Sequence, residues 1–446
     1  MRFRSGRGRM ARLGSRAAVV ILLWICWLAA VPARAGEGEE AAAMDDAPPA
    51  SPAGAATQAP VVQQDAMNDR QGPAPRSGDY TLDPEYEGFL ELPNTRLIAR
   101  LDLRPRVDMM ATSDEPGTDF RFVPSLFPVP GEAGYGGGWR FDGNANGSQI
   151  RLDFRAPSLK GDLRLYYQND FFGDTQKPMR YRLQHLYGQF YGLLAGFTFS
   201  VFEDPDAWPQ TVDYEGPNAA IHARRALAHY KRRIGDAWEI TLAIEAPDSF
   251  VDTTGDDEAA ALSRAPDGGF HVRWSPEIGH VQLSTIFRNI AVDGSTFEDQ
   301  GVFGWGLGVS GALEVTSRDV LIFWLNYGEG IGGMGNDTSF QPSDAAFTAA
   351  GELVALRYWS AMGAITHHWS RRWSSTLTYG YVDLETTDGQ PGSAYRLSHY
   401  GSANVAFRVF APLHVGLEGL YGRKQVRDGR VSEVYRVQLG IAFSIF

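Results

Sequence analysis

From residue 97 onward the chain repeats one pattern, short segments in which apolar and polar residues alternate, separated by turn-rich connections. In 97–109 the odd positions hold Leu97, Ala99, Leu101, Leu103, Pro105, Val107 and Met109, while the even ones include Arg100, Asp102, Arg104, Arg106 and Asp108. Extended backbone sends successive side chains to opposite faces, so this segment is apolar on one side and a ladder of charge on the other. The pattern returns with Ile150, Leu152 and Phe154 against Arg151, Asp153 and Arg155, and again with Leu163, Leu165 and Tyr167 against Arg164, Tyr166, Gln168 and Asp170. Later copies include Trp238-Ile240-Leu242-Ile244, Val281-Leu283-Thr285-Phe287, Phe303-Trp305-Leu307-Val309, Leu377-Tyr379-Tyr381, Ala403-Val405-Phe407 and Leu413-Val415-Leu417.

At about 22 residues per strand and connection, the segments predict roughly sixteen antiparallel strands, with an uncertainty of two. A soluble sandwich alternates as well. Its chain would split into several domains over such a length, and no linker interrupts this one after residue 80. The pattern therefore implies an all-β transmembrane barrel over 81–446, with apolar faces toward lipid and charged faces toward a wet interior. The chain ends in an amphipathic Gly440–Phe446 stretch closing on an aromatic residue, although Ile441 and Phe443 are out of parity with Phe446.

The segments ahead of the strands fit export. Arg2, Arg4, Arg7, Arg9, Arg12 and Arg16 precede an apolar run at Ala17–Ala30, and Ala33-Arg-Ala35 offers a cleavage site, so 1–35 reads as a signal peptide. The run is shorter than the ~20 residues of a spanning helix. Residues 36–80 are rich in Ala, Pro, Gln, Gly and acids, and prolines from Pro48 to Pro75 interrupt any helical repeat, which predicts a disordered periplasmic leader. The only cysteine, Cys26, lies in the signal segment, leaving the mature chain without a disulfide or thiolate site.

Charge excludes one class of partner. The formal net charge is −12, and losing the seven arginines ahead of residue 36 leaves 34 basic residues against 53 acidic ones, a charge of −19. A nucleic acid would need a basic surface. Fifty glycines and 12% aromatic residues suit tight turns and interfacial girdles. Trp305, Trp324, Trp359, Trp369, Trp373, Tyr379 and Tyr381 are the girdle candidates.

The candidate chemistry is that of a selective lining. Arg100, Arg104, Arg106, Arg151, Arg155 and Arg164 would face the lumen from neighbouring strands, and guanidinium groups present paired donors suited to carboxylates. Asp102, Asp108, Asp153, Asp162 and Asp170 accompany them, so a neutralised wall with a transverse field is the competing expectation. Glu203, Asp204, Asp206, Trp208, Asp213 and Glu215 lie in a proline-braced run, 202–218, that reads as a constriction loop opposite that basic wall. The same run has two other readings, an external or intersubunit loop and a calcium site. His367 and His368 are adjacent on a strand and cannot share a metal, and the other histidines lack ligand spacing, so neither metal nor cofactor is expected. Gly-x-Ser-x-Gly is absent. Gly328–Gly335 lacks the end of a phosphate loop and reads as a mobile connection.

Leu194-Ala-Gly-Phe-Thr-Phe-Ser-Val-Phe-Glu-Asp-Pro-Asp-Ala-Trp-Pro209 and Val212-Asp-Tyr-Glu-Gly-Pro-Asn218 resemble the DcaP-like porin family, as does Asn326-Tyr-Gly-Glu-Gly-Ile-Gly332. The general resemblance spans about residues 95–446. It implies a trimeric, sixteen-stranded porin of the bacterial outer membrane; the family's namesake is associated with dicarboxylate uptake, but the resemblance does not transfer substrate choice, because no individual pore residue matches a known binding site. Some members carry a coiled coil ahead of the barrel, whereas this leader is broken by prolines. The combined expectation is passive diffusion of small hydrophilic solutes, with a bias to small organic anions, through a lipid-embedded homotrimer that is not an enzyme. Two alternatives share the sequence, a closed structural or adhesive barrel and an outer-membrane hydrolase whose site assembles from distant strands.

Overall fold

The computed structural model describes residues 88–118, 120–156, 163–174, 178–254, 260–293 and 300–444. The expected signal peptide, the leader, Asp162 and the terminal Phe446 lie outside them.

Twenty strands share one sheet, and no α-helix occurs among the described residues. Two staves of this sheet are split. Pro105, which has no N–H to donate, divides Ile98–Arg104 from Arg106–Thr112, together β1. Opposite it, Arg140–Asn144 and Gln149–Ala156 form β2, and the gap is bridged where Ser148 Oγ accepts the Arg106 N–H at 3.0 Å. There follow β3 (Leu163–Asp170), β4 (Arg182–Phe190), β5 (Leu193–Phe199), β6 (Arg224–Ile234), β7 (Trp238–Glu245) and β8 (Asp267–Trp274). The remainder are β9 (Gly279–Asp293), β10 (Gln300–Glu314), β11 (Asp319–Glu329), β12 (Arg357–His368), β13 (Trp373–Leu384), β14 (Tyr395–Phe410), β15 (Leu413–Val426) and β16 (Val431–Phe443).

Merging the split staves and setting aside the short strands Leu90–Glu91 and Ala260–Leu262 leaves sixteen. Each is antiparallel to its successor, and β16 pairs with β1 from Arg436↔Thr112 to Ala442↔Arg106. Following neighbours around the sheet thus leads back to its start. No helix is long and apolar enough to cross a membrane, and the crossing elements are strands.

The two faces separate as alternation requires. Leu101, Leu103, Val107 and Met109 are exposed on the outer side, whereas Asp102, Arg106 and Asp108 are buried on the inner one. Trp359, Trp369, Trp373 and Tyr379 also face outward. Trp324 does not. It sits on the inward parity of β11, 1% exposed, with its indole N–H donated to the Ala207 carbonyl at 2.6 Å.

Short turns join strands at one end of the barrel and longer loops at the other. Between β4 and β5, Tyr191 (φ 52°) and Gly192 (φ 82°) form a two-residue turn in the left-handed region. A side chain at Gly192 would strike the Lys231 carbonyl. At the long-loop end, segments 113–139, 200–223 and 330–356 fold inward. Phe122 and Phe127 of the first pack on Tyr400, Leu420 and Val434. The second packs Phe202, Trp208 and Ile221 against Ile322, Trp324, Tyr358 and Met362. The glycine-rich stretch expected to be mobile is instead packed: Gly332–Met334 form a buried turn, and a methyl group on Gly332 would collide with the Ser343 carbonyl. A small sheet, Val251–Asp252 with Ala345–Phe347 and Leu353–Ala355, ties two loops together.

Candidate functional site

The segment 200–223 follows the inner wall. It leaves β5 where Glu245 accepts hydrogen bonds from Ser200 Oγ and the Val201 N–H. Asp204 then meets three strands, at Arg273 Nη2 (2.6 Å), His280 Nε2 (2.9 Å) and Ser310 Oγ (2.7 Å), while Asp206 takes a second Arg273 nitrogen. Further on, Gln210 bonds Ser374 and Asn404, and Glu418 accepts the N–H groups of Val212 and Asp213. Arg106 and Gln438 donate to the Val212 carbonyl, and Tyr214 donates to Asp170 at 2.7 Å. Gly216, at φ 73°, lets the chain turn back beneath the Trp208 indole, where a β-carbon would lie 2.8 Å from the ring. The return course is pinned when Ser360 and Asn326 donate to the Ala219 carbonyl.

These anchors set the charge of the loop. For Asp204, burial alone would favour the acid, but His280 and Arg273 outweigh it and hold the carboxyl below its usual range. Burial pushes Glu203 well above that range despite Arg224. Asp213 moves the same way, through burial opposed by Arg436 and reinforced by Glu418 and Glu215. His222, 2.9 Å from Glu203, is driven down by burial and then by Arg224 and Arg182. The Tyr214 hydroxyl is pushed up to about 12 by burial and the Asp170 charge. The loop thus carries fewer negative charges than its composition suggests.

Opposite the apolar packing, arginines gather on β4, β6 and the 113–139 segment. Arg182 is held by Asp170, with Nε at 2.9 Å, and both it and Arg121 lie over the Phe172 ring. Arg121 also lies 3.5 Å from Glu215. Arg224 covers the Phe199 ring at 4.7 Å. Among the described residues it has no carboxylate within ion-pair distance, and its buried Nε has no hydrogen-bond partner. It is close enough to feel the charges of Arg182, Glu203 and Asp170.

The structure places the sequence-selected lining residues Arg100, Asp102, Arg104, Arg106, Asp108, Arg151, Asp153, Arg155 and Arg164 on inward positions of β1, β2 and β3. Most are paired: Arg104 with Asp102 (2.6 Å), Arg106 with Asp108 (2.7 Å), and both Arg155 (3.2 Å) and Arg164 (2.8 Å) with Asp153. Arg151 donates to Gln149. The ladder is largely neutralised in place. Glu203, Asp204, Asp206, Trp208, Asp213 and Glu215 all lie on the inward segment, and the described residues hold no group of three or more potential metal ligands.

Sequence reasoning missed Arg121, Arg182 and Arg224, which reach one locality only through folding. It also missed the inward course of 113–139 and 330–356. Phe122, Val123, Phe127 and Val129 in a stretch without alternation were the available signal, since apolar loop residues call for a packing partner.

Residues 133–441 match the family model described as DcaP outer membrane protein. No curated protein matches the chain. Among solved structures, the outer membrane channel DcaP of Acinetobacter baumannii is similar, with a TM-score of 0.68 at 18% identity over 78% of this chain and 97% of that one. An anion-selective porin from Comamonas acidovorans gives 0.51 at 10% identity, over 78% of this chain and 100% of that chain. OmpF of Salmonella typhi, in complex with daunomycin, gives 0.50 at 10% identity over 80% and 100%.

Proposed function

The chain belongs to the DcaP outer membrane protein family, and from this premise we propose that it is an outer-membrane porin that passes small organic anions, dicarboxylates among them, by passive diffusion. The observation that supports anions is Arg224. A guanidinium stacked on Phe199, with no carboxylate partner among the described residues and with Arg182 nearby, offers donors that a solute carboxylate would satisfy. The paired charges on β1 to β3 would add a field that orients solutes rather than a net attraction. The Comamonas porin of similar fold is anion-selective, which accords with this reading. We read the working unit as a homotrimer, checked by the mass of the detergent-extracted assembly, and assign the chain no catalytic step.

The test is the reversal potential of purified protein in a planar bilayer under a salt gradient. Chloride should be favoured over potassium, succinate should reduce chloride current, and Arg224→Gln should weaken both effects. Arg104→Glu with Arg151→Glu should shift the preference toward cations. A potassium preference in the unaltered protein rejects the anion reading. Three segments folded into the lumen favour a second reading, a barrel closed to solutes, which an electrically silent, correctly folded protein would support.

A further inference from the structure

A second set of polar groups lines the other end of the lumen. β14 and β15 meet through Ala411 and Pro412, and their inward parity runs from Asn404 and Ala406 to Arg408, then from His414 to Gly416 and Glu418. Arg408 and His414 are partners across the ladder. The Cβ atoms of such a pair lie about 4.5–5.5 Å apart, so the two side chains share one patch of wall. On its other side His414 pairs with Ala442, whose methyl group offers no polar partner, and beyond that strand stands β1 with Arg104.

The fold satisfies neither side chain. His414 is 6% exposed, and neither of its ring nitrogens has a hydrogen-bond partner among the described residues. The Arg408 Nε is buried without a hydrogen bond, and no carboxylate among the described residues lies within ion-pair distance of this guanidinium. The charges that bear on His414 are those of Arg408 and Arg104. Nearby acids are already engaged: Asp102 holds Arg104 at 2.6 Å, and Glu418 accepts the N–H groups of Val212 and Asp213. Polar groups buried without partners are costly, so a solute that pairs them is favoured at this spot.

The two residues differ in what they ask of that solute. A guanidinium has donors only, and its fork matches the two oxygens of a carboxylate. A neutral imidazole holds one donor and one acceptor. A plain carboxylate can use the imidazole donor, but only a group with its own O–H can fill the acceptor. A solute with its carboxylate on Arg408 and an adjacent hydroxyl on His414 therefore meets both needs at once.

We propose that Arg408 and His414 form a second solute site, at the short-turn mouth, that prefers hydroxycarboxylates to carboxylates lacking the hydroxyl. This deepens the anion reading above and rests on it. Arg224 begins β6 at the long-loop end, whereas His414 lies next to a short turn, so the two sites stand toward opposite mouths and a solute meets them in succession.

The test compares malate with succinate, which differ by one hydroxyl, as blockers of chloride current through the purified full chain in a planar bilayer. Malate should reach half-block at a roughly fivefold lower concentration, the ratio that one net hydrogen bond supplies. His414→Phe should bring the two acids together, whereas His414→Gln, which retains a donor and an acceptor, should keep most of the preference. Arg408→Gln should weaken block by both acids roughly tenfold, as loss of a charge-assisted contact does. Equal block by the two acids in the unaltered protein, or a preference that survives His414→Phe, overturns the site and leaves the anion reading standing. Block by neither acid, in a pore that prefers potassium, rejects the anion reading and the site with it. The comparison in the unaltered protein decides the matter even where a variant fails to assemble.

Discussion

Arg273 on β8 donates to Asp204 on the inward segment at 2.6 Å, joining residues 69 positions apart. With His280 and Ser310 on the same carboxylate, this contact fastens the start of the loop to three adjacent strands.

Asp204→Ala should therefore loosen the loop more than any other single acid. Removing one partner of a buried pair leaves the other without compensation, at a cost of about 3–5 kcal/mol. The expected result is a lower melting temperature in detergent with larger, noisier single-channel currents. Wild-type current noise would show that the loop is held elsewhere.

Gly216→Ala should also disturb the loop, through backbone rather than charge. A φ of 73° disfavours any β-carbon, and the added atom would press on Trp208. Left-handed strain of this kind costs about 1–3 kcal/mol. Tryptophan emission should shift and conductance change, with far-ultraviolet circular dichroism preserved.

Acidity should tune selectivity. Asp204 is held below the ordinary carboxylate range, so its contribution to the seated loop is present above that range and fades as pH falls through the lowered value. Glu203 and Asp213 are raised, so they favour the seated loop while protonated and lose that contribution as pH rises through their raised values. Ionisation there also adds negative charge to the waist. Anion preference should decline as pH climbs through this window, and Glu203→Gln with Asp213→Asn should flatten the reversal-potential profile.

Leu325→Arg places charge on the outer face of β11, where the leucine is 55% exposed. Near the bilayer midplane such a change costs about 2–4 kcal/mol. Assembly into membranes should fall sharply for Leu325→Arg and little for Leu325→Ala. Equal yields would mean that this face does not meet hydrocarbon.

The wall was legible because alternation encodes it directly: Leu101 against Asp102 and Leu307 against Gly308 assign sides without knowledge of neighbours. Placement of the acidic run on the inner wall is something no local pattern states. Trp324 shows the limit of composition, since a tryptophan among girdle candidates faces inward by parity alone and binds Ala207. Arg224 was invisible for a different reason. Its significance is the lack of a carboxylate partner, and the charges that surround it, Arg182, Asp170 and Glu203, come from separate parts of the chain.

Every neighbouring pair of staves but one is tied by a covalent connection, and the exception is where Arg436–Ala442 meets Arg106–Thr112. Pro105 sits at the foot of that seam, able to accept the Phe443 N–H at 2.9 Å but not to return one. The one seam of this cylinder that no covalent connection backs therefore lies between its first and last staves, where noncovalent contacts alone hold the wall together.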